Sequence, residues 1–325
     1  MGCQSHSRIC PRMNLVVNAA VLVVVLVLLS ACKQQTGPDK GTPFLGGQKG
    51  LEIGFEANAP PGETFDGGAS PFDVAVRLRN IGETSLSKDM VKVHVEGIQP
   101  GEFGKPVSDL SKNPSEELEA RRKDVQGNTV ESNIVVTTFE GLNHKQPITG
   151  TALTFPIRAQ VCYQYRTIAA SQLCSRVDIL NPRQGGVCDV SGAKQVYNSG
   201  APIQVEELTE SPRSQTQVGF TFRIKQADDS GKLFLRKSGC DASQRSFEDK
   251  VFVEVRSDVG TVTCSGLSEG KGANNGVVQL FDKSKTVTCV HELKQKGDYT
   301  FPVTIDLSYD FQNEVNTQII VKHSG

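Results

Sequence analysis

Nine cysteines are the side chains in this 325-residue sequence whose types and spacing most plainly invite chemistry. Arg8 and Arg12 precede an apolar run from Leu15 to Leu29, which ends in "LLSAC" at Cys32. A basic start, an apolar run and small residues before a cut describe an export signal. Cys3 and Cys10 lie ahead of that cut and Cys32 at it, which leaves Cys162, Cys174, Cys188, Cys240, Cys264 and Cys289. An even number in an exported chain predicts three disulfides. In "TFPIRAQVCYQY" (154–165), strand alternation puts Phe155, Ile157, Ala159, Val161, Tyr163 and Tyr165 on one face, and Cys162 on the other with Arg158 and Gln160. A turn near Ile168 to Ala170 would return "QLCSRVDI" so that Cys174 faces Cys162 across a hairpin. By elimination Cys264 pairs with Cys289 and Cys188 with Cys240. Closing so short a hairpin loop contributes at most about 3 kcal/mol. The chain has no Cys-x-x-Cys and its five histidines are scattered, so no metal site is expected.

Other residues imitate catalytic patterns. "GLSEG" (266–270) satisfies Gly-x-Ser-x-Gly, and Asp282 and His291 follow Ser268 in hydrolase order. A nucleophile elbow needs strand, strained turn and helix, whereas "KGANNGVVQLF" follows here, a glycine-rich loop and then a strand. Asp228 and Asp229 in "KQADDSGKLF" lack the alternating oxygen ligands of a calcium loop. No phosphate-binding Gly-x-x-x-x-Gly-Lys-Ser/Thr or dinucleotide Gly-x-Gly-x-x-Gly is present. The expectation is a protein without catalytic residues or cofactor.

Positioning these residues falls to strands. The sequence is 37% apolar and 22% charged, as in globular proteins. Its 35 basic residues balance 36 acidic ones, which disfavours nucleic acid as a partner. It has no Trp and five Tyr, little material for a stacking cleft. "TFPIRAQVCYQY" recurs as "TFPVTIDLSYDF" (300–311) at an offset of 146 residues, and "FDVAVRLRN" (72–80) recurs as "VGFTFRIKQ" (218–226) at the same offset. "VKVHV" (91–95) matches "VFVEV" (251–255) between them. One period-two strand order is thus written twice, with turn signals between short strands, which predicts antiparallel β-sandwiches. "NPSEELEARRKD" (113–124) reads as a short helix inserted in the first copy.

Two resemblances follow from these residues. The run ending at Cys32 resembles a prokaryotic lipoprotein signal, whose cysteine takes a diacylglyceryl group and becomes the first mature residue; this implies a lipid anchor at Cys32. "VRLRNIGETSL" (76–86), a strand ending in Asn-x-Gly, looks like the start of CARDB-like Ig modules of prokaryotic surface proteins. "CYQYRT" (162–167), "YNSGAPIQV" (197–205) and "EDKVFVEV" (248–255) resemble uncharacterised exported lipoproteins of small-genome archaea. These likenesses imply a fold and a location, and carry over no activity.

The expected organisation is all-β: a lipoprotein signal peptide over 1–31, a flexible tether over 32–49, and tandem Ig-like antiparallel β-sandwich domains over 50–182 and 195–325, joined by a linker at 183–194. Such a chain would sit outside the cytoplasm, lipid-anchored to the cell membrane, and act in binding, adhesion or envelope architecture. The competing expectation is a non-catalytic accessory subunit of an envelope enzyme or transport complex. A protein or glycan partner would meet loops of the second domain, foremost "SGLSEGKGANNG" (265–276) with Ser268, Lys271, Asn274 and Asn275.

Overall fold

A computed structural model describes residues 42–182 and 185–324. The signal peptide, the lipid site at Cys32 and most of the tether lie outside the described residues. Nineteen strands run in chain order: β1 (Leu51–Phe55), β2 (Glu63–Phe65), β3 (Phe72–Asn80), β4 (Val91–Glu96), β5 (Ser111–Lys112), β6 (Arg122–Lys123), β7 (Thr129–Val130), β8 (Ile134–Leu142), β9 (Ala152–Ser175) and β10 (Gly192–Ala193). They continue with β11 (Val196–Asn198), β12 (Ile203–Ser214), β13 (Gln217–Gln226), β14 (Lys232–Leu235), β15 (Lys250–Arg256), β16 (Thr261–Ser265), β17 (Asn275–Gln279), β18 (Ser284–Glu292) and β19 (Tyr299–Lys322). The described residues are all-β, with only three short 3-10 turns besides.

The repeat in the sequence is a repeat in the structure. β1-β3-β8 form one small sheet and β10-β12-β13-β18-β16 a second. β3 corresponds to β13 and β8 to β18, because Val74 pairs with Phe139 as Phe220 pairs with Cys289. A nine-stranded sheet, ordered β17-β15-β19-β9-β4-β5 along its main path, is drawn from both repeats. At its centre β9 and β19, each of 24 residues, pair antiparallel along their whole length. Gln164 pairs with Asp310, its own counterpart at the repeat offset, so an approximate twofold axis passes through that pair. The repeats therefore share a sheet, and the described residues make one compact unit.

Alternation explains this seam. On β9 the side chains from Ile157 to Thr167 at odd positions are all buried, and on β19 Phe301, Val303, Ile305, Leu307, Tyr309 and Phe311 are buried likewise. These join Val76, Leu78, Phe220 and Phe222 of the small sheets in one apolar cluster. The seam also holds polar groups, and its three tyrosine hydroxyls are bonded as burial demands. The Tyr163 hydroxyl donates to Asn313 Oδ1 (2.7 Å), Tyr165 donates to Asn80 Oδ1 (3.1 Å), and Tyr309 meets Thr167 Oγ1 (2.8 Å). Burial pushes the ionisation of all three tyrosines upward, so they stay neutral donors. The Asn-x-Gly signal is part of this network. Asn80 also accepts from Gly82 N, and a Cβ at Gly82 would fall 2.0 Å from the Tyr165 hydroxyl.

Two local expectations fail for identifiable reasons. Residues 113–124 form no helix; the segment is extended and ends in β6, because Leu118 is wholly buried and bridges Leu86. Residues 42–49, expected within the tether, are held to the body: the Glu83 carboxylate accepts from Leu45 N, Gly46 N and Gly200 N at 2.9, 2.9 and 2.6 Å. One carboxylate thereby holds together three stretches of chain.

Candidate functional site

The cysteines form three disulfides among the described residues: Cys162 with Cys240, Cys174 with Cys188, and Cys264 with Cys289. The last is the expected pairing; the other two correct the expectation. Alternation puts Cys162 and Cys174 on the same side of β9, but Cys174 is wholly buried there and no turn separates the two. β9 runs straight through Ile168 to Ala170, and twelve residues of strand put the two about 40 Å apart. Cys174 instead bonds Cys188 in the loop after β9. Cys162 reaches across the repeat boundary to Cys240, in the loop after β14.

That loop is pinned twice. Asp310, wholly buried on β19, accepts from Lys237 N (2.9 Å), Gly239 N (2.8 Å) and Ser238 Oγ (3.2 Å). Burial raises the Asp310 pKa, and the amides lining it oppose that rise. Beside the disulfide a groove of about 410 Å³ opens on the wet face of the central sheet. Lys92 and His94 of β4, Gln160 of β9 and Gln312 of β19 form its floor, and Ser108 and Ser111 one wall. Register makes the grouping compact: Ser111, His94 and Gln160 lie in one row across β5, β4 and β9, and Lys92, Cys162 and Gln312 in the next.

The twofold axis carries this grouping onto a second patch with different chemistry. Lys92 corresponds to Phe252, His94 to Glu254, Gln160 to Asp306, Cys162 to Ser308 and Gln312 to Arg166, all in matching register. There the side chains satisfy one another. Asp306 accepts from Arg166 and, at 2.9 Å, from Arg256, and its bond to Arg166 pushes the pKa of that guanidinium up. The Arg236 guanidinium lies 3.3 Å over the Phe252 ring and reaches Ser308 Oγ at 3.4 Å. In the groove, Gln312 Nε2 donates to Gln160 Oε1 (2.8 Å), and His94 Nε2 is 3.7 Å from Glu96.

The loop at 265–276 is differently employed. Asn274 Nδ2 donates to Val255 O (2.9 Å), Asn275 Oδ1 accepts from Lys271 N (3.0 Å), and Cys264 N donates to Ala273 O (2.7 Å). Asn274 and Asn275 thus hold the loop in shape, and of the four expected contact residues only Ser268 and Lys271 remain on its surface. Ser268 pairs with Val277 through its backbone, and its hydroxyl donates to Val277 O (3.2 Å). His291 is wholly buried and its Nε2 lies 3.0 Å from Ser257 Oγ, so the hydrolase-like order of residues does not assemble around Ser268. Burial drives the His291 pKa down to about 4. Asp228 Oδ1 accepts from Ser230 N and Oγ within its turn, and Asp229 pairs with Lys283 at 2.8 Å. Among the described residues no group of three or more His, Cys, Asp and Glu side chains is placed to hold a metal ion.

The groove was missed by sequence reasoning, though part of its signal was present. The alternation in "VKVHV" puts Lys92 and His94 on the same wet face as Gln160 and Cys162. What no spacing reveals is that Cys240 brings a loop of the second repeat over this face.

No protein-family model matches the chain, and no curated protein matches it. Among solved structures, envelope protein VP37 from White Spot Syndrome Virus aligns at 6% identity with a TM-score of 0.25, over 45% of this chain and 97% of that one. A likeness at that level bears on neither fold nor function.

Proposed function

We propose that this protein is an extracytoplasmic lipoprotein that works by contact: Cys32 anchors it to a membrane and the groove beside Cys162–Cys240 meets a protein or glycan partner. The observation that carries this reading is the set of three disulfides, which forms and persists in an oxidising compartment. The export signal ending at Cys32 agrees with that compartment. Among the described residues no helix is long and apolar enough to cross a membrane. The groove is preferred to the loop at 265–276 because the latter's asparagines are already engaged internally, while the groove rests on a rigid sheet.

Fractionation of cells carrying wild type or Cys32→Ser tests the anchor. The wild type is expected in membranes with Cys32 lipidated by intact mass, and the variant uncut or released; an unmodified Cys32 in the wild type rejects it. A photo-crosslinking residue at Ser108 is expected to capture a partner that the same residue at Lys271 does not. Capture only from Lys271 returns the contact to the loop.

A further inference from the structure

We infer that the groove beside the Cys162–Cys240 disulfide is an oxyanion site, made for a single carboxylate, sulfate or phosphate group. This rests on the reading of the groove as the contact surface and names the chemistry that it recognises.

The argument is one of unmatched donors. Among the described residues neither the Lys92 ammonium, the Ser111 hydroxyl nor Gln160 Nε2 has a hydrogen-bond or ion-pair partner in the protein, and none of the groove's lining side chains is a carboxylate. Their places in the register bring these donors together: Ser111 and Gln160 flank His94 in one row, and Lys92 stands two residues along on the same face. Adjacent strands lie about 4.8 Å apart, so a ligand of one small group can reach several of these donors at once. The second patch, carried over by the twofold axis, shows what the same scaffold does when no ligand is required. There a carboxylate, Asp306, stands where the groove has Gln160, and arginines of the chain neutralise it. The groove has an amide, Gln160, in place of that carboxylate, and its one lysine, Lys92, stands where the second patch has Phe252.

The rim limits the ligand. Glu96 lies 3.7 Å from His94, and Glu314 stands opposite Gln160 in the strand register. Carboxylates on the far side of the donors repel a long polyanion, so a single charged terminus or substituent fits and a nucleic-acid backbone does not. No Phe, Tyr or Trp lines the groove, which removes the stacking surface that a sugar ring would use.

Titration calorimetry on the full-length chain in detergent tests this, with sodium sulfate, phosphate and acetate at ionic strength held constant by NaCl. Saturable binding of at least one of these ions is expected. Lys92→Gln should weaken it about tenfold, the loss of one charge-assisted hydrogen bond, and Lys92→Arg should restore most of it. Lys285→Gln, on the second repeat, should leave it unchanged. Sulfate or phosphate in preference to acetate would point to a charged substituent, and acetate in preference to a terminal or side-chain carboxylate. No saturable binding, or binding that Lys92→Gln leaves intact, overturns the oxyanion site. If capture from Ser108 persists in that case, the contact reading stands and only the ligand chemistry falls.

Discussion

The two halves of the central sheet are built on one register and have been finished differently. Around β4 and β9 the wet face carries a disulfide and an open groove; around β15 and β19 the equivalent positions carry a closed cluster of Arg166, Arg256, Asp306, Arg236 and Phe252. The small sheets diverge at a buried position instead. Phe139 fills the core in β8, whereas its counterpart in β18 is Cys289, bonded to Cys264. In the central sheet duplication preserved the apolar inward residues of β9 and β19, which packing constrains. The wet face differs between the halves, and in one of them it carries donors without partners in the protein.

The first way to break this comparison is to cut the covalent tie between the repeats. Cys162–Cys240 closes 78 residues, against 25 for Cys264–Cys289 and 14 for Cys174–Cys188. Loop-closure entropy then ranks their contributions at about 4.5, about 3.5 and about 3 kcal/mol in that order. Replacing both Cys162 and Cys240 with Ala should therefore give the largest fall in denaturant midpoint of the three double variants. An equal fall for Cys174→Ala with Cys188→Ala would mean that the cross-repeat tie has no special weight.

The connectivity also shows where the sequence was legible. The repeat, the strand order and the inward faces of β9 and β19 were readable because a period of two allows only one buried set. Cys162 was placed on its correct face for that reason. Its partner was not, because the hairpin at Ile168 to Ala170 had no chemical warrant: "RTIAAS" contains no Gly, Pro, Asn or Asp to turn the chain. Read without that turn, the offset of 146 continues to the end of β9, where Gln172 repeats as Gln318 and Leu173 as Ile319. The groove was illegible for another reason. Lys92, Ser111 and Gln160 are far apart in the sequence, and only sheet order brings them into neighbouring rows.

A second, smaller effect separates β18 from β8 by pH. His291 lies in β18 where β8 has Leu142, since Val218 pairs with His291 as Phe72 pairs with Leu142, and it is buried against Phe301 at 4.7 Å between ring centroids. Its folded pKa of about 4 lies below the roughly 6.5 of an unfolded histidine. A depressed histidine favours folding fully above the unfolded value, and that contribution is lost as the pH falls from about 6.5 towards 4. The loss amounts to about 3 kcal/mol. Burial also raises the pKa of Glu210 and Asp310, so the quantity to measure is the difference in unfolding free energy between wild type and His291→Gln at several pH values. That difference should shift by about 3 kcal/mol against the wild type between pH 7 and 4. A pH-independent difference would show that His291 takes up its proton without losing its place in the core.

The smallest expected change in stability is the sharpest test of the two patches. Gln160→Asp writes the chemistry of Asp306 into the groove, giving Lys92 a carboxylate within the same sheet face. The site is half-exposed and the new ion pair is partly screened, so the unfolding free energy should move by no more than about 1 kcal/mol. Binding should respond much more strongly. An internal carboxylate would occupy the donors and repel an incoming one, and calorimetric heats with sulfate, phosphate or acetate should disappear. The reciprocal change, Asp306→Gln, leaves Arg166 and Arg256 without their shared acceptor. If the difference between the halves resides in that one acceptor, this second variant should acquire anion binding on the face where the wild type has none. Should Gln160→Asp still bind, the donors that matter lie elsewhere in the wall, and the two patches differ by more than the residue that the twofold axis exchanges.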